Sequence, residues 1–171
     1  MIIVNKYKAL KLDWQNEMAE LAELEFGEVP FVKNTKWTTP DWSILKFEGN
    51  DLVAFYNIVE RDIEVDGQVM KAGGINNVIT KREHRGKGLA SLLLKETAKL
   101  LFEDIHCNLG LLLCADDLVN FYHKHGWYKV NSALTYDQPD GKRDYSSNIM
   151  LLTSPEKSII PKKIDLKGLP W

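Results

Sequence analysis

Cysteine is scarce in this sequence: 171 residues contain two, Cys107 and Cys114. Neither has a CxxC partner, which excludes a disulfide framework and leaves two buried, inert thiols as the expectation. The four histidines, His84, His106, His123 and His125, lack zinc-ligand spacing with those cysteines, so no metal is expected. Six prolines and 11 glycines are too few for a collagen-like or low-complexity chain. No apolar run approaches the ~20 residues that a bilayer span needs, so no membrane partner is expected. The opening Met1-Ile-Ile-Val-Asn-Lys has neither a basic stretch followed by a long apolar segment nor a small-residue cleavage site, which predicts a cytoplasmic protein. Charge of one sign is missing too. With 22 basic and 24 acidic residues the net charge is −2, which argues against a partner bound through phosphate neutralisation and hence against nucleic acid.

What is present is 44% hydrophobic and 27% charged residues, the proportions of one globular domain spanning 1–171. The even charge balance hides a local excess: Asp13, Glu17, Glu20, Glu23, Glu25 and Glu28 lie between positions 13 and 28 with no Lys or Arg among them. Trp14, Met18, Leu21, Ala22 and Leu24 recur there at near-helical spacing, so the stretch reads as an amphipathic helix whose acids either face solvent or attract a cation.

Strands are expected at Ser43–Phe47 and Asp51–Val59, then at Ile63–Val65 and Gln68–Met70 around an Asp66-Gly67 hairpin turn. Another is expected at Ile75–Thr80. Leu89–Phe102 has helical periodicity, Leu109–Cys114 reads as a buried strand, and Asp116–His125 as a short helix ending at Gly126. Val130–Leu134 and Asn148–Leu152 are expected as final strands around the turn-rich Gln138-Pro139-Asp140-Gly141, followed by a tail from about 154 to 171. The order is that of an α+β domain whose central sheet is mixed, mainly antiparallel and flanked by helices.

The chemistry concentrates between Val78 and Leu94, where a strand runs through Arg85-Gly86-Lys87-Gly88 into a helix. Two glycines two apart let backbone approach a ligand, and the helix that follows directs unpaired N–H groups and a positive dipole end at the same point. Arg85 and Lys87 add charge suited to pyrophosphate. A dinucleotide fingerprint would need a third glycine at Ser91, and the GK[ST] of a P-loop is missing.

Arg85-Gly86-Lys87-Gly88-Leu89-Ala90 resembles the acyl-CoA signature Q/R-x-x-G-x-G/A of the GCN5-related N-acetyltransferase (GNAT) superfamily. Phe121-Tyr122-His123-Lys124-His125-Gly126-Trp127 resembles a second signature of the same superfamily, and the two span 73–130, the expected acyl-CoA-binding core. The resemblance implies an N-acetyltransferase that moves an acetyl group from acetyl-CoA to the primary amine of a small molecule by direct attack in a ternary complex. It implies that Val78, Ile79 and Thr80 meet the pantetheine arm and that backbone from Arg85 through Gly86, Lys87, Gly88, Leu89 and Ala90 to Ser91 holds the pyrophosphate. Tyr122 is implied as the general acid for the departing thiolate, a phenol near pKa 10 being close to a thiol near 8.5. Two positions depart from the pattern. Ala115 stands where the superfamily often has Asn, which leaves Asp116 or Asp117 to supply that contact, and Asn76 and Asn77 stand near where many members carry a base. Asn76 is therefore a water-positioning candidate, with Glu60 and Asp62 on the neighbouring strand as candidate bases. A narrower similarity, to aminoglycoside 2′-N-acetyltransferases, is carried by the motif order and the Gly126-Trp127 pair. Trp37, Trp42, Tyr136 and Trp171 are candidates to line the acceptor side. An acyl-CoA-binding sensor domain without catalysis is the alternative from a different class. A monomer and a homodimer both stay open.

Overall fold

The computed structural model describes residues 1–171, the side chain of Pro155 excepted. In chain order its elements are β1 (Ile2–Lys6), α1 (Leu12–Phe26), α2 (Pro30–Lys33), β2 (Trp42–Glu48), β3 (Asp51–Val65), β4 (Gln68–Thr80), α3 (Leu89–Leu94), α4 (Thr97–Lys99), β5 (Leu109–Cys114), α5 (Val119–His123), β6 (Tyr128–Val130), β7 (Ala133–Gln138), β8 (Gly141–Tyr145), β9 (Asn148–Leu152) and β10 (Lys163–Asp165). All ten strands join one sheet in the order β6-β9-β5-β4-β3-β10-β7-β8, with β2 on β3 and β1 on β2. Only β4–β5 and β7–β10 pair in parallel, which makes the sheet mixed and mainly antiparallel, the α+β architecture anticipated.

Three apolar clusters hold it together. Tyr56, Ile58, Leu93, Leu101, Leu112 and Trp127 fill the space between the sheet and α3–α5. Met18 of α1 packs with Leu45, Phe47, Phe55 and Ile79. Val59, Leu109, Leu111, Tyr136, Ile164 and Trp171 form the third, in the C-terminal half. Gly73 and Gly74 explain how β4 serves two of these at once. A Cβ on Gly73 would overlap Leu101, and one on Gly74 would overlap the Trp171 ring. Glycine in a strand interior here marks close approach from both faces.

Several sequence expectations are corrected. Residues 51–65 and 68–80 are two long strands where four short ones were expected, because β3 and β4 stay paired continuously from Val65↔Gln68 to Asn57↔Asn76. Val130–Leu134 is not one strand: β6 pairs with β9, whereas β7 starts at Ala133 and pairs with β8 and β10. The Pro139-Asp140 turn closes the β7–β8 hairpin. The helix expected to Phe102 is interrupted after Leu94, and its last turn widens so that Ile105 N–H bonds to Leu100 C=O at 2.9 Å. The 154–171 stretch is integrated as well. β10 inserts between β3 and β7, Trp171 is 3% exposed with Nε1 donating to Leu111 C=O at 3.2 Å, and Arg61 Nη1 donates to Leu169 C=O at 2.7 Å.

Candidate active site

Parallel pairing of β4 with β5 runs only from Ala72↔Leu109 to Ile75↔Leu112, although β4 continues to Thr80 and β5 to Cys114. At the point of parting Asn77 has φ +50 and forms a bulge, two β4 residues standing between partners that only Tyr56 separates on β3. A bulge bends its strand and increases its twist. The sheet therefore opens into a wedge, with unpaired β4 backbone along one wall.

The first cavity in the wedge measures about 420 Å³ and is lined by Val78, Ile79, Thr80, Arg85, Gly86, Gly88, Leu89, Ala90 and Ser91, together with Phe121 and Tyr122 from α5. Of the residues implied for acyl-CoA binding, Lys87 alone lies outside this lining. Gly86 and Gly88 have φ of +75 and +74, and no heavy atom lies within 4 Å of a Cβ built on either. Backbone conformation, not crowding, demands glycine there, and the open space is where a ligand comes close. The Arg85 side chain is already engaged: Nη2 donates to Glu25 Oε2 at 2.6 Å and Nε to Thr80 C=O at 3.1 Å.

Tyr122 is 6% exposed, and burial pushes its phenol above the usual value, with the nearby Cys114 thiol adding to the shift. The same burial pushes Cys114 up to about 11. Both groups are uncharged at neutral pH, and both belong to the buried cluster between the sheet and α3–α5.

A second cavity of about 470 Å³ adjoins the first, with Phe26 of α1 lining both. Asn76, Cys114 and Ala115 stand on its sheet side, while Phe31, Trp37, Tyr145 and Trp171 form its aromatic wall. Asn76 Oδ1 is buried with no hydrogen-bond partner. Glu60 is not brought here. It lies on the β3 face shared by Tyr56 and Ile58, pairs with Lys71 at 2.8 Å and Lys6 at 3.5 Å, and accepts from Trp42 Nε1 at 3.0 Å. Burial alone would raise its pKa, but Lys71 and Trp42 outweigh that and hold it below the usual carboxylate range. A carboxylate so committed makes a poor base, which corrects the reading of Glu60. Asp62 is exposed on the same strand, Trp42 and Tyr136 lie outside the second cavity, and Asp116 accepts from Asn148 Nδ2 at 2.7 Å.

The acidic helix also changes meaning. Glu17 pairs with Lys81 at 2.8 Å, Glu25 with Arg85 and Glu28 with Lys33, while Glu23 borders the second cavity. The acidic and basic segments meet each other across the cleft. Phe26, Phe31, Tyr145 and the Glu25–Arg85 pair escaped sequence reasoning, since each gains its place from an element distant in the chain. Tyr145 follows the Pro139-Asp140 turn that sequence reasoning had identified, and that hairpin was the available signal.

A family model described as an acetyltransferase (GNAT) domain matches residues 6–130. No curated protein sequence matches. Among solved structures, Escherichia coli ElaA aligns with a TM-score of 0.60 at 18% identity, covering 89% of this chain and 98% of its own. An acyl-CoA N-acyltransferase from Pseudomonas aeruginosa aligns at 0.61 and 15% identity, covering 90% and 99%. The Escherichia coli GNAT family N-acetyltransferase YhbS, solved in complex with CoA, aligns at 0.63 and 12% identity, covering 99% and 94%. At these identities the likeness is one of fold.

Proposed function

This chain belongs to the GNAT acetyltransferase family, and from that premise we propose that it transfers an acetyl group from acetyl-CoA to the primary amine of a small molecule. The observation that carries the reading is the β4–β5 wedge, with a glycine turn of positive φ at one end and Tyr122 in its wall. In this reading residues 73–130 form the acyl-CoA-binding core. The unpaired β4 backbone at 78–80 lies along the pantetheine arm, and first-turn N–H groups of α3, free of intrahelical partners, meet the pyrophosphate.

Acetyl-CoA supplies the thioester carbonyl that an amine attacks. The chain's own contribution begins with proximity: two adjoining cavities hold the two reactants at one point, which replaces a bimolecular encounter. The new C–N bond forms and the C–S bond breaks; after attack the nitrogen loses one proton to solvent and the departing thiolate takes one from solvent, so sulfur ends as a thiol. Tyr122 remains protonated at neutral pH because burial raises its pKa, so it donates a hydrogen bond toward developing charge on sulfur. Asn76 cannot remove a proton; as a residue of the second cavity's lining it helps to position the amine. Solvent takes the ammonium proton before attack.

Thiol release from acetyl-CoA in the presence of an amine panel, compared with calorimetric acetyl-CoA binding, tests this. Tyr122→Phe is expected to lower kcat by about 10²- to 10⁴-fold with little change in acetyl-CoA affinity, the range set by general-acid contributions. Unchanged kcat would remove Tyr122 from the mechanism. A second reading, an acyl-CoA-binding sensor, draws on Asn76 standing where a base would be useful; it requires tight acetyl-CoA binding with no turnover.

A further inference from the structure

The second cavity is defined by what surrounds it. Phe31 meets Trp37 edge-on at 5.6 Å and Tyr145 at 5.9 Å, and Trp37 Nε1 donates to Val32 C=O at 3.2 Å. Trp171 is fixed from behind, with the Arg61 guanidinium 5.4 Å from its ring centre. These rings are held before any ligand arrives, which lowers the ordering cost of binding. Among the lining side chains Glu23 is the only charged one, and it is exposed on α1. Asn76 and Cys114 belong to the same lining, with Asn76 Oδ1 itself buried and without a hydrogen-bond partner.

We propose that this cavity takes a primary amine carrying a single ammonium on an aromatic ring system, in preference to a polycation such as a polyamine or an aminoglycoside. The inference rests on the acetyl-transfer reading and narrows its acceptor. Size agrees: a cavity of about 150 Å³ holds a benzene ring, so about 470 Å³ holds a bicyclic ring with its side chain. Charge agrees as well. A single ammonium meets one carboxylate, Glu23, and the ring faces of Trp37 and Trp171 favour a cation or an aromatic plane. Each ammonium beyond the one that Glu23 answers would lose water without gaining a carboxylate. The acids of α1 that could have supplied more are spent elsewhere, Glu17 on Lys81 and Glu25 on Arg85.

The test is calorimetric titration of the CoA-saturated protein with tryptamine, 2-phenylethylamine, spermidine, kanamycin and a short peptide with a free N-terminus. Tryptamine and 2-phenylethylamine should bind at least tenfold more tightly than the other three. Trp37→Ala should weaken tryptamine at least tenfold while leaving spermidine unchanged, and Trp37→Phe should restore part of the loss; CoA affinity, measured on each variant, reports whether the fold is intact. Equal or tighter binding of spermidine, kanamycin or the peptide overturns the proposal, as does failure of any aromatic amine to bind. If CoA itself fails to bind the unaltered protein, the acetyl-transfer reading falls; if CoA binds and a polycation is the preferred ligand, only the acceptor class falls.

Discussion

In the proposed reaction Tyr122 and Asn76 divide the chemistry between a group that always carries its proton and one that never takes the substrate's. An alkyl ammonium has a pKa near 10.4 by analogy with lysine, and with no carboxylate to deprotonate it the reactive fraction grows about tenfold per pH unit below that value. The rate at subsaturating amine should therefore climb with a slope near one between about pH 7 and 9. At the alkaline end the phenol must stay protonated. Because burial raises the Tyr122 pKa, loss of kcat should set in above pH 10, later than an ordinary phenol would allow. A pH–rate profile that turns over near 7 would reveal a base that Asn76 cannot supply. Tyr122 could be recognised from the Phe121-Tyr122…Gly126-Trp127 pattern alone. Glu60 could not be dismissed that way, since its removal from the site depends on Lys6, Lys71 and Trp42, which come from three other strands.

Elements impose a different logic, and α1 illustrates it. Its periodic Trp14, Met18, Leu21 and Ala22 identify a helix, but nothing local says that its acids face the loop from Lys81 to Arg85. Burial pulls the Lys81 pKa down, yet hydrogen bonds to Asp51 and Glu17 prevail and hold it above the ordinary value. Glu25 stands in the cleft beside the glycine turn and occupies Arg85. Glu25→Gln should free that guanidinium and remove a negative charge from the approach of a pyrophosphate. Acetyl-CoA affinity should rise about threefold to tenfold at low salt and the gain should fade as ionic strength increases. Titrations at two salt concentrations check both the sign and the screening; weaker binding would mean that the pair props the cleft open. The long β3–β4 hairpin carries a similar lesson. Asp66-Gly67 was legible as a turn, with φ of +49 and +83, whereas the strand lengths were set by partners on either side.

At the scale of the whole molecule the C-terminal stretch shapes the second cavity. Trp171 fills the space above Gly74, β10 bridges β3 and β7, and Asp165 gathers Lys142 at 2.9 Å and Lys167 at 3.3 Å. Burial would raise the Asp165 pKa, but Lys142 and the Lys167 N–H overcome this and lower it, so its contribution is complete above the ordinary carboxylate range and is lost as pH falls below it. Replacing Trp171 by Ala should cost about 3–5 kcal/mol, the usual range for deleting a buried large aromatic side chain. Chemical denaturation measures this, and a loss under about 1 kcal/mol would mean that the ring packs less firmly than its burial indicates. The sequence by itself determined the α+β class, the glycine turn with its positive-φ requirement, the amphipathic α1 and the family, because each is written in contiguous residues and short-range periodicity. Only the tertiary structure decided that acid and base segments pair with each other, that Glu60 faces away, and that Trp37, Tyr145 and Trp171 line one cavity with Asn76. Those outcomes depend on register, on the Asn77 bulge and on contacts between different elements, such as Glu17–Lys81 and Glu25–Arg85, where no local pattern carries the information.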